Sequence, residues 1–226
     1  MPTVNWATQH GFQPPEPGGS PDLVWYAAYG SNLHLERLTA YLAGGRPPGG
    51  EPAFPAHPGC RDPRPPRADR AVRLPGRLYF ALESAVWTGG MAFHDPHGPG
   101  RIPARAYLLT AAQFGDLAAQ EMHRPPGDGP DLAPVLRTGR AGYGNGRYET
   151  LVCPGWLDGH PVLTFTAPWT AAEAPLNPPS ARYLRHLGTG LRESHAWSTA
   201  RIARYLSTRP GAAGHWSVEQ VARLLG

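Results

Sequence analysis

Val24-Trp25-Tyr26-Ala27-Ala28-Tyr29-Gly30-Ser31-Asn32-Leu33 changes character within ten residues. Up to Tyr29 it is apolar and aromatic, which suits a buried strand. Gly30 can adopt backbone angles closed to other residues, so the chain can turn sharply and come close to a ligand. Ser31 and Asn32 are favourable N-caps for the segment that follows, in which Leu35, Leu38, Tyr41 and Leu42 share one helical face. Strand, tight turn and helix together aim several backbone N–H groups at one spot beside the positive end of a helix, a seat for a carboxylate or an oxyanion. An ordinary strand-to-helix connection has the same composition, so the rest of the chain has to decide between the two.

Downstream of this unit the sequence alternates between loops and regular elements. Residues 43–76 are dominated by Gly, Pro and Arg and read as a long loop without regular structure. Arg61, Arg64, Arg67 and Arg70 recur every third residue there, a spacing that an extended loop could present to an anion or leave in solvent. Arg77 to Phe93 reads as strands, with Gly89-Gly90 marking a bulge or a close backbone approach, and Ala104–Leu109 as a further strand of the same antiparallel meander. Thr110 and Gln113 form a capping box that opens a helix to about Met122. Residues 123–146 return to Gly and Pro. Tyr148–Cys153 and Pro161–Ala167 read as a hairpin about Asp158-Gly159. Ser180, Ser198 and Ser217 each cap a C-terminal helix, and Trp197–Leu206 echoes Trp216–Leu225, a pair suited to packing Trp and Leu faces on the domain.

Composition narrows the class. The 226 residues are 41% hydrophobic, enough to bury a core. No apolar run approaches the roughly 20 residues of a membrane span, and the N-terminus lacks a signal pattern, so a cytoplasmic protein with no membrane partner is expected. The net charge is +4, with every basic residue an Arg dispersed along the chain. That pattern fits a codon bias better than a polyanion surface, and no nucleic-acid partner is expected. Cys60 and Cys153 read as two reduced thiols.

Glu121 is the anomaly. On a helix begun at Thr110, Phe114, Leu117, Ala118 and Glu121 fall at i, i+3, i+4 and i+7, all on the apolar face, while Asp116 projects elsewhere and is free to be solvated. An inward carboxylate is costly, and burial would raise its pKa toward the range of a general base. The pattern equally allows a helix that ends at Gln120 and leaves Glu121 hydrated.

Tyr29-Gly30-Ser31-Asn32-Leu33 resembles the signature of the γ-glutamylcyclotransferase family, including its AIG2-like relatives. Trp87-Thr-Gly-Gly-Met-Ala92 is similar to the family's Gly-Gly strand, Leu117-Ala-Ala-Gln-Glu121 to the segment that carries its catalytic Glu, and Pro179-Ser-Ala-Arg-Tyr-Leu184 to its C-terminal element. The four landmarks stand in the family's order over roughly residues 24–206. The long Arg/Pro stretch, Met122-His-Arg-Pro-Pro126 and the tail after Leu206 depart from its pattern.

The resemblance implies an α+β fold, a small mixed β-sheet curled into a barrel with flanking helices. It covers a domain at 21–206, while residues 1–20, rich in Pro and Gly, read as a loose extension and 207–226 as a helical tail. The activity it implies is cyclisation of a γ-glutamyl amide or amine to 5-oxoproline with release of an amine. Glu121 would be the general acid–base, and Tyr29, Gly30, Ser31, Asn32 and Leu33 would bind a small-molecule γ-glutamyl substrate; Tyr148, at the start of a strand, is placed either to hydrogen-bond that substrate or to pack within the strand. No metal or organic cofactor is required, and a homodimer is left open. Two rivals share the residues: a deacylase in which Glu121 activates water, and a non-catalytic binding module. His57 with Cys60, and His94 with His97, have metal-compatible spacing but no second half. His123 is placed to orient Glu121 or meet substrate.

Overall fold

The computed structural model describes residues 21–47 and 56–226; the expected extension at 1–20 and residues 48–55 of the Arg/Pro-rich stretch lie outside the described residues. The fold is built about β1 (Leu23–Ala28), five of whose six residues are buried. β1 pairs antiparallel along its whole length with Arg101–Thr110, from Leu23 opposite Thr110 to Ala28 opposite Arg105. On its other side it pairs in parallel with His160–Thr166, through Trp25 opposite Val162 and Tyr26 opposite Leu163. Trp25 and Ala27 enter one hydrophobic core while Val24, Tyr26 and Ala28 enter another. A strand covered on both faces explains why its sequence is apolar throughout instead of alternating.

In chain order the remaining strands are β2 (Asp69–Pro75), β3 (Arg77–Ser84), β4 (Gly89–Asp95), β5 (Arg101–Thr110), β6 (Arg140–Gly142), β7 (Thr150–Leu157) and β8 (His160–Thr166). Six of them form one mixed sheet in the order β2-β5-β1-β8-β7-β6, and β3 and β4 pair as a separate antiparallel hairpin. This is the expected α+β class with a mixed sheet, but the sheet is open and not a barrel. β2 and β6 end it as unjoined edges. β4 is attached to β8 by a side chain: Thr166 Oγ1 donates to the His94 carbonyl at 2.6 Å and accepts the His94 N–H at 3.1 Å. The meander expected through residue 109 breaks because β5 leaves the hairpin to pair with β1 and β2.

Two other expectations are corrected. Asp69–Pro75 is a strand inside the stretch read as structureless, because the prolines of that stretch fall before residue 67 and at Pro75, leaving 69–74 free to pair with β5. The Gly/Pro-rich residues 123–146 likewise contain a short helix, Ala133–Thr138, and β6.

The helices are α1 (Leu35–Ala43), α2 (Ala111–Glu121), α3 (Ala133–Thr138), α4 (Ala181–His195), α5 (Thr199–Ser207) and α6 (Val218–Leu225). The capping boxes at Thr110 and Ser217 form, and Ser180 and Ser198 cap α4 and α5 through their hydroxyls. Apolar residues of α1 and α2 join the core beside Tyr26, and those of α4, α5 and α6 the core beside Trp25. Val221 and Leu225 of α6 belong to the same cluster as Leu184 and Leu187 of α4. Gly89 and Gly90 are a close backbone approach: Gly90 N–H donates to the Pro178 carbonyl at 2.8 Å, and a Cβ on Gly90 would fall 2.0 Å from the Asn177 carbonyl oxygen.

Candidate active site

Ser31–Leu33 makes a single 3₁₀ turn after β1, closed by the Leu33 N–H to the Gly30 carbonyl at 3.1 Å. Neither Ser31 nor Asn32 caps α1, which starts at Leu35 with His34 as its N-cap. The Asn32 side chain instead donates to the Tyr26 hydroxyl at 3.2 Å. Gly30 has φ −108°, so positive φ is not what it supplies. Its open side lies against the Tyr183 hydroxyl, which a Cβ would approach to 3.5 Å.

α2 extends through Glu121, so the helix does not stop at Gln120. Phe114, Leu117 and Ala118 are fully buried, as their spacing requires, and Glu121 ends the same stripe in the wall of a cavity of about 550 Å³. Gly30, Ser31, Asn32, Tyr29 and Tyr148 line that cavity too. Leu33 does not. It is 1% exposed in the core behind the turn, because the 3₁₀ geometry rotates its side chain away from the cavity. Asp116, read as solvated, is also buried. Its carboxylate accepts the N–H groups of Arg61 at 2.8 Å and Gly127 at 2.9 Å and the Arg61 guanidinium at 3.0 Å. Burial alone would raise the Asp116 pKa, but these bonds outweigh it and hold the group below its usual range.

Glu121 goes the other way. It is partly accessible through the cavity yet enclosed by protein, and burial raises its pKa above the ordinary carboxylate value. A hydrogen bond from Tyr41 and the charges of Arg37, His123 and Arg147 reduce the rise without cancelling it. Five tyrosines, Tyr26, Tyr29, Tyr41, Tyr148 and Tyr183, line the cavity. Burial pushes every one of their hydroxyls upward, so they stay neutral. Tyr29 donates to the Phe165 carbonyl at 2.8 Å and Tyr148 to the Ala92 carbonyl at 3.1 Å. These bonds fix both rings in the cavity wall.

Arg37 is the residue that sequence reasoning missed. It is 9% exposed, lines the cavity, and lies over the rings of Tyr41 at 5.8 Å and Trp87 at 5.5 Å. It falls off the apolar stripe of α1, where periodicity assigns a charged residue to solvent; the aromatic Tyr41 four residues on is the one signal pointing inward. His123 lies at the rim with φ 58°, its ring 3.4 Å from the Arg147 guanidinium. The four arginines of the Arg/Pro stretch are exposed, but none lines the cavity. Arg61, Arg64 and Arg70 pair with Asp116, Asp62 and Asp158. Both cysteines are free thiols. Among the described residues no group of three or more His, Cys, Asp or Glu is placed to hold a metal ion, and no helix is long and apolar enough to cross a membrane.

No family model matches the chain. It is similar to histone deacetylase 5 of Arabidopsis thaliana, 31% identical over 201 residues; the match takes in 81% of this chain and spans 30% of that protein's length. Solved structures similar to it include an uncharacterized protein from Homo sapiens, with TM-score 0.49, 16% identity, and 91% of this chain and 99% of that one covered. A γ-glutamyl cyclotransferase has TM-score 0.46 and 15% identity, with 90% and 98% covered. YkqA from Bacillus subtilis has TM-score 0.40 and 16% identity, with 84% and 56% covered.

Proposed function

We propose that this cavity cyclises a γ-glutamyl amide to 5-oxoproline. The observation that carries the reading is the joint placement of Glu121, its pKa raised by burial, and the Gly30–Asn32 turn on one cavity. The substrate's α-amine attacks its own γ-carbonyl carbon, a C–N bond forms, and the amide C–N bond to the leaving amine breaks. Glu121 takes a proton from the attacking nitrogen and returns one to the leaving nitrogen, so no water is consumed. Because nucleophile and electrophile belong to one molecule, the protein's main task is to hold the folded conformer. The turn's N–H groups, with Arg37 on the same cavity, suit a carboxylate or a developing oxyanion. The neutral tyrosine hydroxyls complete a polar wall that does not compete for the Glu121 proton.

A panel of γ-glutamyl amides assayed for 5-oxoproline tests the reading, and release of 5-oxoproline from at least one of them is expected. Free glutamate without 5-oxoproline would favour the second reading, amide hydrolysis with Glu121 activating water. The name of the Arabidopsis relative, a deacetylase, is the observation that favours that reading, although the match spans only 30% of that protein. Neither product would leave a binding module.

A further inference from the structure

The carbonyl oxygens of Ser31, Asn32 and Leu33 are all held from behind, by residues that do not line the cavity. His186 of α4 meets the Ser31 oxygen at 2.9 Å. The Tyr107 hydroxyl of β5 lies 2.9 Å from the Asn32 oxygen and 3.1 Å from the Leu33 oxygen. The Arg105 guanidinium, also of β5, reaches the Leu33 oxygen at 3.3 Å. Arg105 is itself fixed by Asp69 at 3.0 Å and by Glu193, and Glu193 also holds His34 at 3.2 Å. His34 in turn meets the His186 carbonyl oxygen at 2.8 Å, which closes the network.

Peptide geometry turns this into an orientation. In a trans peptide the carbonyl and the next N–H point apart, so a Ser31 oxygen drawn toward His186 sends the Asn32 N–H the other way. Among the described residues the N–H groups of Ser31 and Asn32 have no protein acceptor. A second polar atom of the turn is in the same state: Asn32, 3% exposed and part of the cavity wall, has an Oδ1 without a hydrogen-bond partner.

We infer that Tyr107 and His186, with Arg105 as their neighbour, are positioning residues that hold the Ser31–Leu33 turn with its unpaired polar groups facing the substrate. The inference rests on the cyclotransferase reading for what the turn binds. His186 acts as a neutral donor, since burial and the adjacent His34 lower its pKa to about 3. Tyr107 is fully buried and packs on Tyr26 with ring centroids 6.4 Å apart, so Tyr107→Phe removes a hydroxyl and leaves the packing.

The test compares wild type, Tyr107→Phe, His186→Leu and His186→Gln, the last of which restores a donor near the position of Nε2. Turnover is followed on the γ-glutamyl amide that wild type converts best. Binding of 5-oxoproline is followed by the backbone amide resonances of Ser31 and Asn32. Tyr107→Phe and His186→Leu are expected to lower kcat/KM and weaken 5-oxoproline binding by roughly 10-fold each, the size of a lost hydrogen bond. His186→Gln is expected to recover most of the loss, with similar melting temperatures throughout. Wild-type turnover and binding in Tyr107→Phe and His186→Leu would overturn the inference and leave the cyclotransferase reading standing. So would a loss that His186→Gln does not recover. Wild-type protein that binds 5-oxoproline at the turn but converts no γ-glutamyl amide would remove the cyclotransferase reading, and the binding losses in the variants would still support the positioning role. Amides of Ser31 and Asn32 that ignore 5-oxoproline in wild type would overturn the inference whatever the turnover.

Discussion

Glu121→Gln separates the chemical from the structural role of one side chain. The amide keeps the shape and can still accept from Tyr41, but it has no basic oxygen. If Glu121 shuttles the proton, turnover of a γ-glutamyl amide should fall roughly 100- to 10,000-fold, the usual range for a general acid–base group. Stability should move the other way. The Glu121 pKa is raised in the folded protein, so the fold favours the neutral carboxyl even with Arg37, His123 and Arg147 nearby. A group raised on folding contributes stability that is fully present below its unfolded pKa and is lost as pH rises through the folded value. Above the raised folded value that contribution is gone, and a neutral amide recovers it. A gain of about 0.5–2 kcal/mol is expected, or roughly 2–4 °C per kcal/mol in a chain of this size. The gain should shrink as pH falls from the raised folded value toward the ordinary carboxylate value, below which both proteins carry a neutral group. The assays are 5-oxoproline release and thermal melts at pH 4 and pH 7. Wild-type turnover in the Gln variant would remove Glu121 from the mechanism, and a lower melting temperature at pH 7 would show that the carboxylate is stabilised by its surroundings.

Asp116→Asn should have the opposite stability signature, because its pKa is held below the usual range. The loss, about 1–3 kcal/mol at neutral pH for charge-assisted bonds partly open to solvent, should diminish in urea melts as pH falls through the lowered folded pKa. Gly90→Ala should destabilise by about 1–3 kcal/mol, measured by the same melts, since its Cβ must displace the Asn177 carbonyl oxygen from 2.0 Å. Cys60 and Cys153, their thiols pushed up by burial to about 12 and about 11, should resist iodoacetamide at pH 8 and label fully only in denaturant; mass spectrometry reads both states.

What the sequence makes legible is the part of the structure that depends on local chemistry. The Thr110 and Ser217 capping boxes, the Asp158-Gly159 hairpin turn and the apolar strand before Gly30 follow from short-range patterns, and all four form. The stripe Phe114–Leu117–Ala118–Glu121 is legible for the same reason, since helical periodicity fixes which side chains share a face. Leu33, adjacent in sequence to cavity residues, shows the limit of a motif: one 3₁₀ turn sends neighbouring side chains to opposite sides.

Charge placement is not legible, because periodicity assigns charged residues to solvent and cannot see a partner far along the chain. Arg61 is 55 residues from Asp116, and its contact, with the Gly127 N–H, makes Asp116 a buried, stabilised carboxylate. Glu121 lies five residues further along the same helix, also enclosed, but in the wall of the cavity. Burial pushes both acids of one helix upward, yet their net shifts are opposite, and the difference is supplied by the bonds from Arg61 and Gly127 to the first. A substrate ammonium could play toward Glu121 the part that Arg61 plays toward Asp116.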